Sequence, residues 1–264
     1  SWPERAGKRS LKLEDIAREN GFETTGRAHE AMNDVEATLE LARRLQSNEK
    51  IWAYANGFFD RSEDEKRFHK ISARWQPSSK PYPLGILVQA SYGPDASFMC
   101  PVIYIGESIP YSKQHLWVPV GEPLELLETH SKESGATLPV IRKRYGDQHI
   151  ILPGLNRFQD KLCLSHLENL KTNLVYVSQN QDWFESIIND IQHFQYPVVE
   201  NVDPDALLYQ AGFFSSKEKQ EIRLFHEALP EQRAVAARAF RSPRIRCMAS
   251  RILSRMGQLG DAPD

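Results

Sequence analysis

From the amino terminus, apolar positions first recur at helical spacing. Leu13, Ile16 and Ala17 share one face of a helix predicted over residues 12–19, with Ser10 as its cap and Gly21 as its stop. A second helix is predicted over 32–45, where Val35, Thr38, Leu39, Ala42 and Leu45 recur at steps of three and four, the period of a buried stripe. Nothing in the first 47 residues supplies a sheet for these helices to cover, so they read as the end of a domain. From about residue 52 to 151 the pattern changes. Aromatic-rich chain runs into WQPSSKPYP, whose Pro77, Pro81 and Pro83 forbid a helix. LGILVQASY, PVIYIG, HLWVPV, LPVIRKRY and HIIL follow, short runs separated by turn residues, and this spacing predicts a small antiparallel barrel or sandwich.

Beyond Pro153 helical periodicity returns. Asp182 and Glu185 resemble a capping box on a helix whose apolar face is Phe184, Ile187, Ile188 and Ile191. NVDPDALLY sets Asp203 as a cap with Pro204 at the first helical position. Ser215 and Glu218 form a capping box for a helix over 216–229 that Pro230 ends; Ser242-Pro243 opens the last helix and Gly257 stops it.

With 41% hydrophobic and 26% charged residues, the 264-residue chain can fill more than one core, which excludes a disordered or fibrous protein. No apolar run approaches the roughly 20 residues of a membrane span, and SWPERAGKRS lacks the layout of a secretory signal. Cys100, Cys163 and Cys247 lie far apart, with no C-x-x-C and no nearby histidine at metal spacing, which fits reduced thiols in the cytoplasm better than disulfides or zinc. A net charge of −2 argues against a globally basic coat. Between residues 232 and 255, however, seven arginines occur without one acid, so the last quarter carries a positive field that the total conceals.

The string AHEAMNDVEATLELARRL carries the candidate chemistry. His29 falls in the predicted loop and Asp34 in the first helical turn. A carboxylate held there beside an imidazole suits a metal ligand next to a general base. The same pair also describes an ordinary polar turn, with Asp34 favouring the positive end of the helix.

H-E-A-M-N-D-V-E-A-T resembles the third motif of the DEDDh 3′→5′ exonucleases, which have an RNase H-like fold. By that resemblance His29 is the base and Asp34 a metal ligand. KLEDIARENGFE before it, and KPYPLGILVQASYG, LPVIRKR and NVDPDALLYQAGFFS after it, resemble the exodeoxyribonuclease I family over about residues 2–246. The resemblance implies an α+β chain in three parts. Residues 1–48 would be the C-terminal helices of an RNase H-like exonuclease domain, 49–200 an SH3-like β-barrel domain with helical insertions, and 201–264 a small all-α domain. It implies a Mg²⁺-dependent, processive 3′→5′ exonuclease that releases 5′-mononucleotides from single-stranded DNA in repair and recombination. Two Mg²⁺ ions, single-stranded DNA and the acidic tail of single-stranded-DNA-binding protein are the implied cofactors and partners of a cytoplasmic monomer with no membrane attachment.

The family also needs a D-x-E on a central strand and a further Asp, and the one D-V-E here, at 34–36, lies in the helix. The chain is therefore expected to be the C-terminal portion of a longer enzyme and inactive by itself, since one carboxylate cannot organise two ions. The rival reading is a non-catalytic module that binds single-stranded DNA or protein. A third is a DEDDh RNA exonuclease. For DNA contact the candidates are Arg142, Lys143 and Arg144 at a strand end, and Arg238, Arg241, Arg244 and Arg246 near the last helix. Against them stand a solvated strand end and arginines paired with acids elsewhere. Tyr82, Tyr92 and Trp117 either stack bases or fill the core.

Overall fold

The computed structural model describes residues 2–22, 31–77, 80–128, 139–203, 205–206, 210 and 212–257. Two compact units divide the chain, Ser1–Gln195 and Tyr196–Asp264. No helix among the described residues is long and apolar enough to cross a membrane.

The first unit opens with a hairpin, β1 (Glu4–Arg5) and β2 (Lys8–Arg9), followed by α1 (Leu13–Asn20) and α2 (Ala31–Gln46). Gly21 stops α1 in the left-handed conformation, as expected. Ser10 does not cap it. Lys12 holds that position, and the Ser10 hydroxyl instead donates to the Asp15 carboxylate at 2.6 Å. The helix α2 forms over its predicted span, yet its stripe is not buried. Val35, Leu39 and Leu45 are 45–51% exposed, while the buried residues are Asn33 and Ala37. Helical period alone does not bury a face; a second layer must lie against it, and the described residues supply none for this one. Two short helices, α3 (Glu49–Asn56) and α4 (Arg61–His69), occupy the aromatic-rich stretch that gave no periodic signal. Each has a side-chain cap: Asn48 accepts from Ile51 N–H and Asp60 from Glu63 N–H.

An antiparallel sheet follows, made of β3 (Arg74–Trp75), β4 (Tyr82–Val88), β5 (Met99–Glu107), β6 (His115–Pro119), β7 (Ile141–Lys143) and β8 (Ile150–Pro153). The five β-like runs of the sequence are β4 to β8. The strand order is β3-β4-β5-β6-β7, with β8 also paired to β4. Helices α5 (Leu124–Glu128), α6 (Asn156–Gln159), α7 (Leu164–Gln179) and α8 (Gln181–Gln192) complete the unit. Asp182 and Glu185 form no capping box, because α8 starts two residues earlier, at Gln181, and Asn180 holds the cap position. The apolar face of α8 is buried as its spacing requires.

Both faces of the sheet are covered, and the two-residue period of the strands sorts side chains between them. Leu84, Ile103, Ile105, Leu116 and Val118 join one cluster with Val177 of α7 and Phe184, Ile187, Ile188 and Ile191 of α8. Leu87, Val102, Trp117 and Ile151 join the other, against which Phe68 of α4 packs. Every residue of β6 is buried, which explains why these strands read as continuous apolar runs rather than alternating ones. A bulge breaks the β5–β6 register between Tyr104 and Gly106. Gly106 has φ +118°, and a Cβ there would lie 2.2 Å from Gln192 Nε2, the amide that donates to Ile105 O at 2.8 Å.

The expected barrel does not close. Among the described residues β7 pairs only with β6, and β8 only with β4. Asp147 accepts the N–H groups of Arg144 (2.8 Å) and His149 (2.9 Å), which curls the connecting turn instead of extending a ladder across the seam. Side chains span the gap. Buried Lys143 donates from Nζ to His149 O at 2.7 Å, and its ammonium pairs with buried Asp64 at 2.7 Å and with Asp147 at 3.3 Å.

In the second unit α9 (Ser216–Glu227), α10 (Pro230–Arg238) and α11 (Pro243–Arg255) pack around Phe225, Ala237, Phe240, Ile245, Ala249 and Leu253. The Ser215–Glu218 capping box forms. Pro230 does more than end a helix: it is the first residue of α10, a helix that no apolar period in the sequence sets apart. Asp203 accepts Asp205 N–H at 2.9 Å, as a cap does, and also pairs with Arg251.

Candidate nucleic-acid interface

His29 lies outside the described residues. Asp34 stands in the first turn of α2 and is exposed. Among the described residues it belongs to no group of three metal-donor side chains.

The RKR triplet is split by strand alternation. Lys143 points inward, its side chain 5% exposed and its charge engaged by Asp64 and Asp147, so it is withdrawn from solvent. Arg142, its neighbour in β7, points to the opposite face, and Arg144 lies just past the strand's end. The Arg142 guanidinium sits 5.0 Å from the centre of the Phe194 ring, beside a cavity of about 590 Å³ that Tyr92, Glu122 and His149 also line. Arg144 is exposed and borders a second cavity of about 460 Å³.

The second cavity is the more basic. Arg61, Glu65 and His69 of α4 line it at four-residue steps, one helical face. Glu107, Lys113 and His115 enter from the β5–β6 hairpin, and Arg144 with Tyr145 from the turn after β7. Three fixed cations thus face two carboxylates around a phenol. Asp64 sets this geometry from below. Besides pairing with Lys143, it accepts Gly146 N–H at 2.9 Å and so fastens the turn that carries Arg144 and Tyr145 to α4. Asp147 holds the other side of the turn. Burial works to raise its pKa, but the N–H groups of Arg144 and His149 and the Lys143 ammonium outweigh it and keep the carboxyl below its usual range. His115, buried against Tyr145 with ring centroids 4.2 Å apart, is pushed below its ordinary pKa by burial, although Glu107 at 3.7 Å opposes the shift. The imidazole is therefore neutral near pH 7, and the positive field comes from the arginines and the lysine. A pocket of this size, lined by cations around an aromatic ring, can hold a phosphate and stack a base. Arg61, His69, Lys113 and Tyr145 were not singled out in the sequence. Tyr145 directly follows the basic triplet, and the i, i+4, i+8 spacing on α4 would have exposed Arg61 and His69 had the helix been predicted; Lys113, in the β5–β6 hairpin, carries no such local signal.

The arginine run of the second unit divides into two sets. Arg251 pairs with Asp203 and with Asp205 (3.0 Å), and Arg255 with Asp205 (3.4 Å). Arg233 donates to the carbonyls of Ala228 and His226. Arg244 lies over the Phe214 ring at 4.5 Å and donates to Gly212 O at 3.3 Å, so its planar group is spent on structure. Arg238, Arg241 and Arg246 are exposed and make no ion pair among the described residues. Tyr82 and Trp117 are core residues, and Tyr92 is half-buried.

No protein-family model matches the chain, and no curated protein matches it. Solved structures do. The chain is similar to E. coli exonuclease I in complex with a 5cy-dT13 oligonucleotide, with a TM-score of 0.69 and 19% identity over 98% of this chain and 57% of that one. E. coli exonuclease I with a dA16 oligonucleotide gives the same values. A product-bound exonuclease I gives a TM-score of 0.65 at 19% identity, over 98% of this chain and 54% of that one. The chain thus has an exonuclease I-like fold, mixed helix and sheet, and spans little more than half the length of the structures it matches.

Proposed function

We propose that the chain is the DNA-holding portion of an exonuclease I-like 3′→5′ exonuclease acting on single-stranded DNA. The observation that carries this reading is the likeness of the backbone, over 98% of the chain, to exonuclease I structures in complex with single-stranded oligonucleotides. The HEAMNDVEAT motif supports it independently. In the reading, Asp34 is this chain's contribution to a Mg²⁺ centre and His29 its general base. The open sheet with its covering helices corresponds to the SH3-like domain, and the second unit to the helical domain. Processive action in DNA repair as a cytoplasmic monomer, and the acidic tail of single-stranded-DNA-binding protein as partner, belong to the same proposal.

In this reading the chain contributes one carboxylate to that centre, so no hydrolytic step is assigned to the chain by itself. This favours, for the 264 residues alone, binding without cleavage. Arg144, Lys113 and Arg61 are the proposed contacts in the first unit, and Arg238, Arg241 and Arg246 in the second. The test is fluorescence anisotropy of a labelled oligo-dT. Log affinity should fall linearly with log salt concentration, by roughly 0.7 per phosphate neutralised. A flat salt response, or tighter binding to duplex than to single strand, overturns the proposal.

A further inference from the structure

A second group of chemistry-bearing side chains lies apart from the basic cavity. Cys100 at the start of β5, Glu122 in the turn after β6 and His166 in the first turn of α7 bring a sulfur, a carboxylate oxygen and a ring nitrogen within 4.8 Å of one another. They are the only such trio of donors among the described residues. Cys100 is fully buried, and His166 is 8% exposed with its Nδ1 buried and lacking a hydrogen-bond partner. Buried imidazole nitrogens are normally satisfied, so a buried ring with one orphan nitrogen, grouped with a thiol and a carboxylate, points to a ligand. Burial pushes the Cys100 thiol up to about 12, although hydrogen bonds from the Tyr92 hydroxyl and the Gly121 N–H oppose the shift, so a bound cation would have to displace the thiol proton. A Cβ on Gly121 would lie 3.2 Å from that sulfur and 2.4 Å from Pro101, so the glycine permits this close approach. Tyr92 and Glu122 also line the 590 Å³ cavity, which gives an ion a route in.

We propose that Cys100, Glu122 and His166 bind a borderline divalent cation of the Zn²⁺ class. A mixed sulfur, nitrogen and oxygen set suits Zn²⁺ and not the hard Mg²⁺ of the nuclease reading, on which this proposal does not depend. Around a tetrahedral ion, donors at the usual bond lengths lie about 3.5 Å apart, so about 1 Å of side-chain closure completes the site. Water or the Tyr92 oxygen takes the fourth position. The bound ion would staple β5, the β6–α5 turn and α7 together.

Co²⁺ titrated into the reduced chain tests this directly. One equivalent should produce a near-ultraviolet thiolate-to-cobalt band and visible bands of tetrahedral intensity, and Zn²⁺ should displace both. Cys100→Ser should abolish the near-ultraviolet band, and Cys163→Ser should keep it. Because Cys100 is in the core, Glu122→Gln at a half-exposed position is the second variant; it should weaken Co²⁺ binding more than about tenfold with unchanged far-ultraviolet dichroism. No thiolate band in the native chain, or a band that survives Cys100→Ser, or unchanged affinity in Glu122→Gln, overturns the proposal.

Discussion

Removing the charge of Asp64 is the sharpest test of how the sheet's open seam is held. Asp64→Asn keeps the shape and still offers an oxygen to Gly146 N–H, but it leaves the buried Lys143 ammonium without its 2.7 Å counter-ion. Breaking a buried pair from one side typically costs about 3–5 kcal/mol. The lower end applies here, because Asp147 stays at 3.3 Å and the His149 carbonyl at 2.7 Å. A loss of about 3 kcal/mol is therefore expected. Adding Lys143→Met removes the stranded charge and should bring the double variant back to within about 1 kcal/mol of the native chain. Urea unfolding followed by tryptophan fluorescence measures this cleanly, since all five tryptophans lie in the first unit. Should Asp64→Asn lose less than about 1 kcal/mol, or should the double variant be no more stable than the single one, the seam is not held by this pair.

Three further outcomes are expected. Arg144→Glu should weaken oligo-dT binding and lower the salt slope by roughly 0.7, the value of one phosphate contact, whereas Lys143→Met should leave the slope unchanged; equal slopes for all three proteins would remove the basic cavity from the interface. With Mg²⁺ and single-stranded DNA, the 264-residue chain should release no mononucleotide above background, and chromatography of the digest reads this out. Asp203 is held at about 2, below its usual 3.8, first by hydrogen bonding to Arg251. Its stabilising contribution is therefore complete above 3.8 and fades as pH falls through about 2. Asp203→Asn should remove that acid-sensitive step from the unfolding of the second unit, monitored by dichroism.

Legibility in the sequence followed how local the cause was. Strands β4 to β8 were visible as apolar runs, and the face of α8 as a spacing, because burial on a helix or strand writes itself directly into composition. The Ser215–Glu218 box was equally plain, since a cap needs only four residues. In α2 the period was present, but the layer that would bury Val35 and Leu39 is not a property of the helix itself. Lys143 misled for the opposite reason: three adjacent cations look alike in a string, and only strand alternation turns the middle one inward. The arginine run was legible as charge, but Asp203 and Asp205, which neutralise part of it, lie about fifty residues upstream. The basic cavity and the Cys100–Glu122–His166 trio are assembled from different elements, so no local pattern announces them.

The enclosure of β6 between two apolar clusters has a further consequence for how the chain comes apart. Its amide protons, and those of the central part of β5, should exchange with deuterium only when the whole first unit opens. The amides of α2, with little packed over them, should exchange through local fraying long before. A protease sampling the same motions would pare away the leading helices and leave a resistant kernel running from α4 to α8.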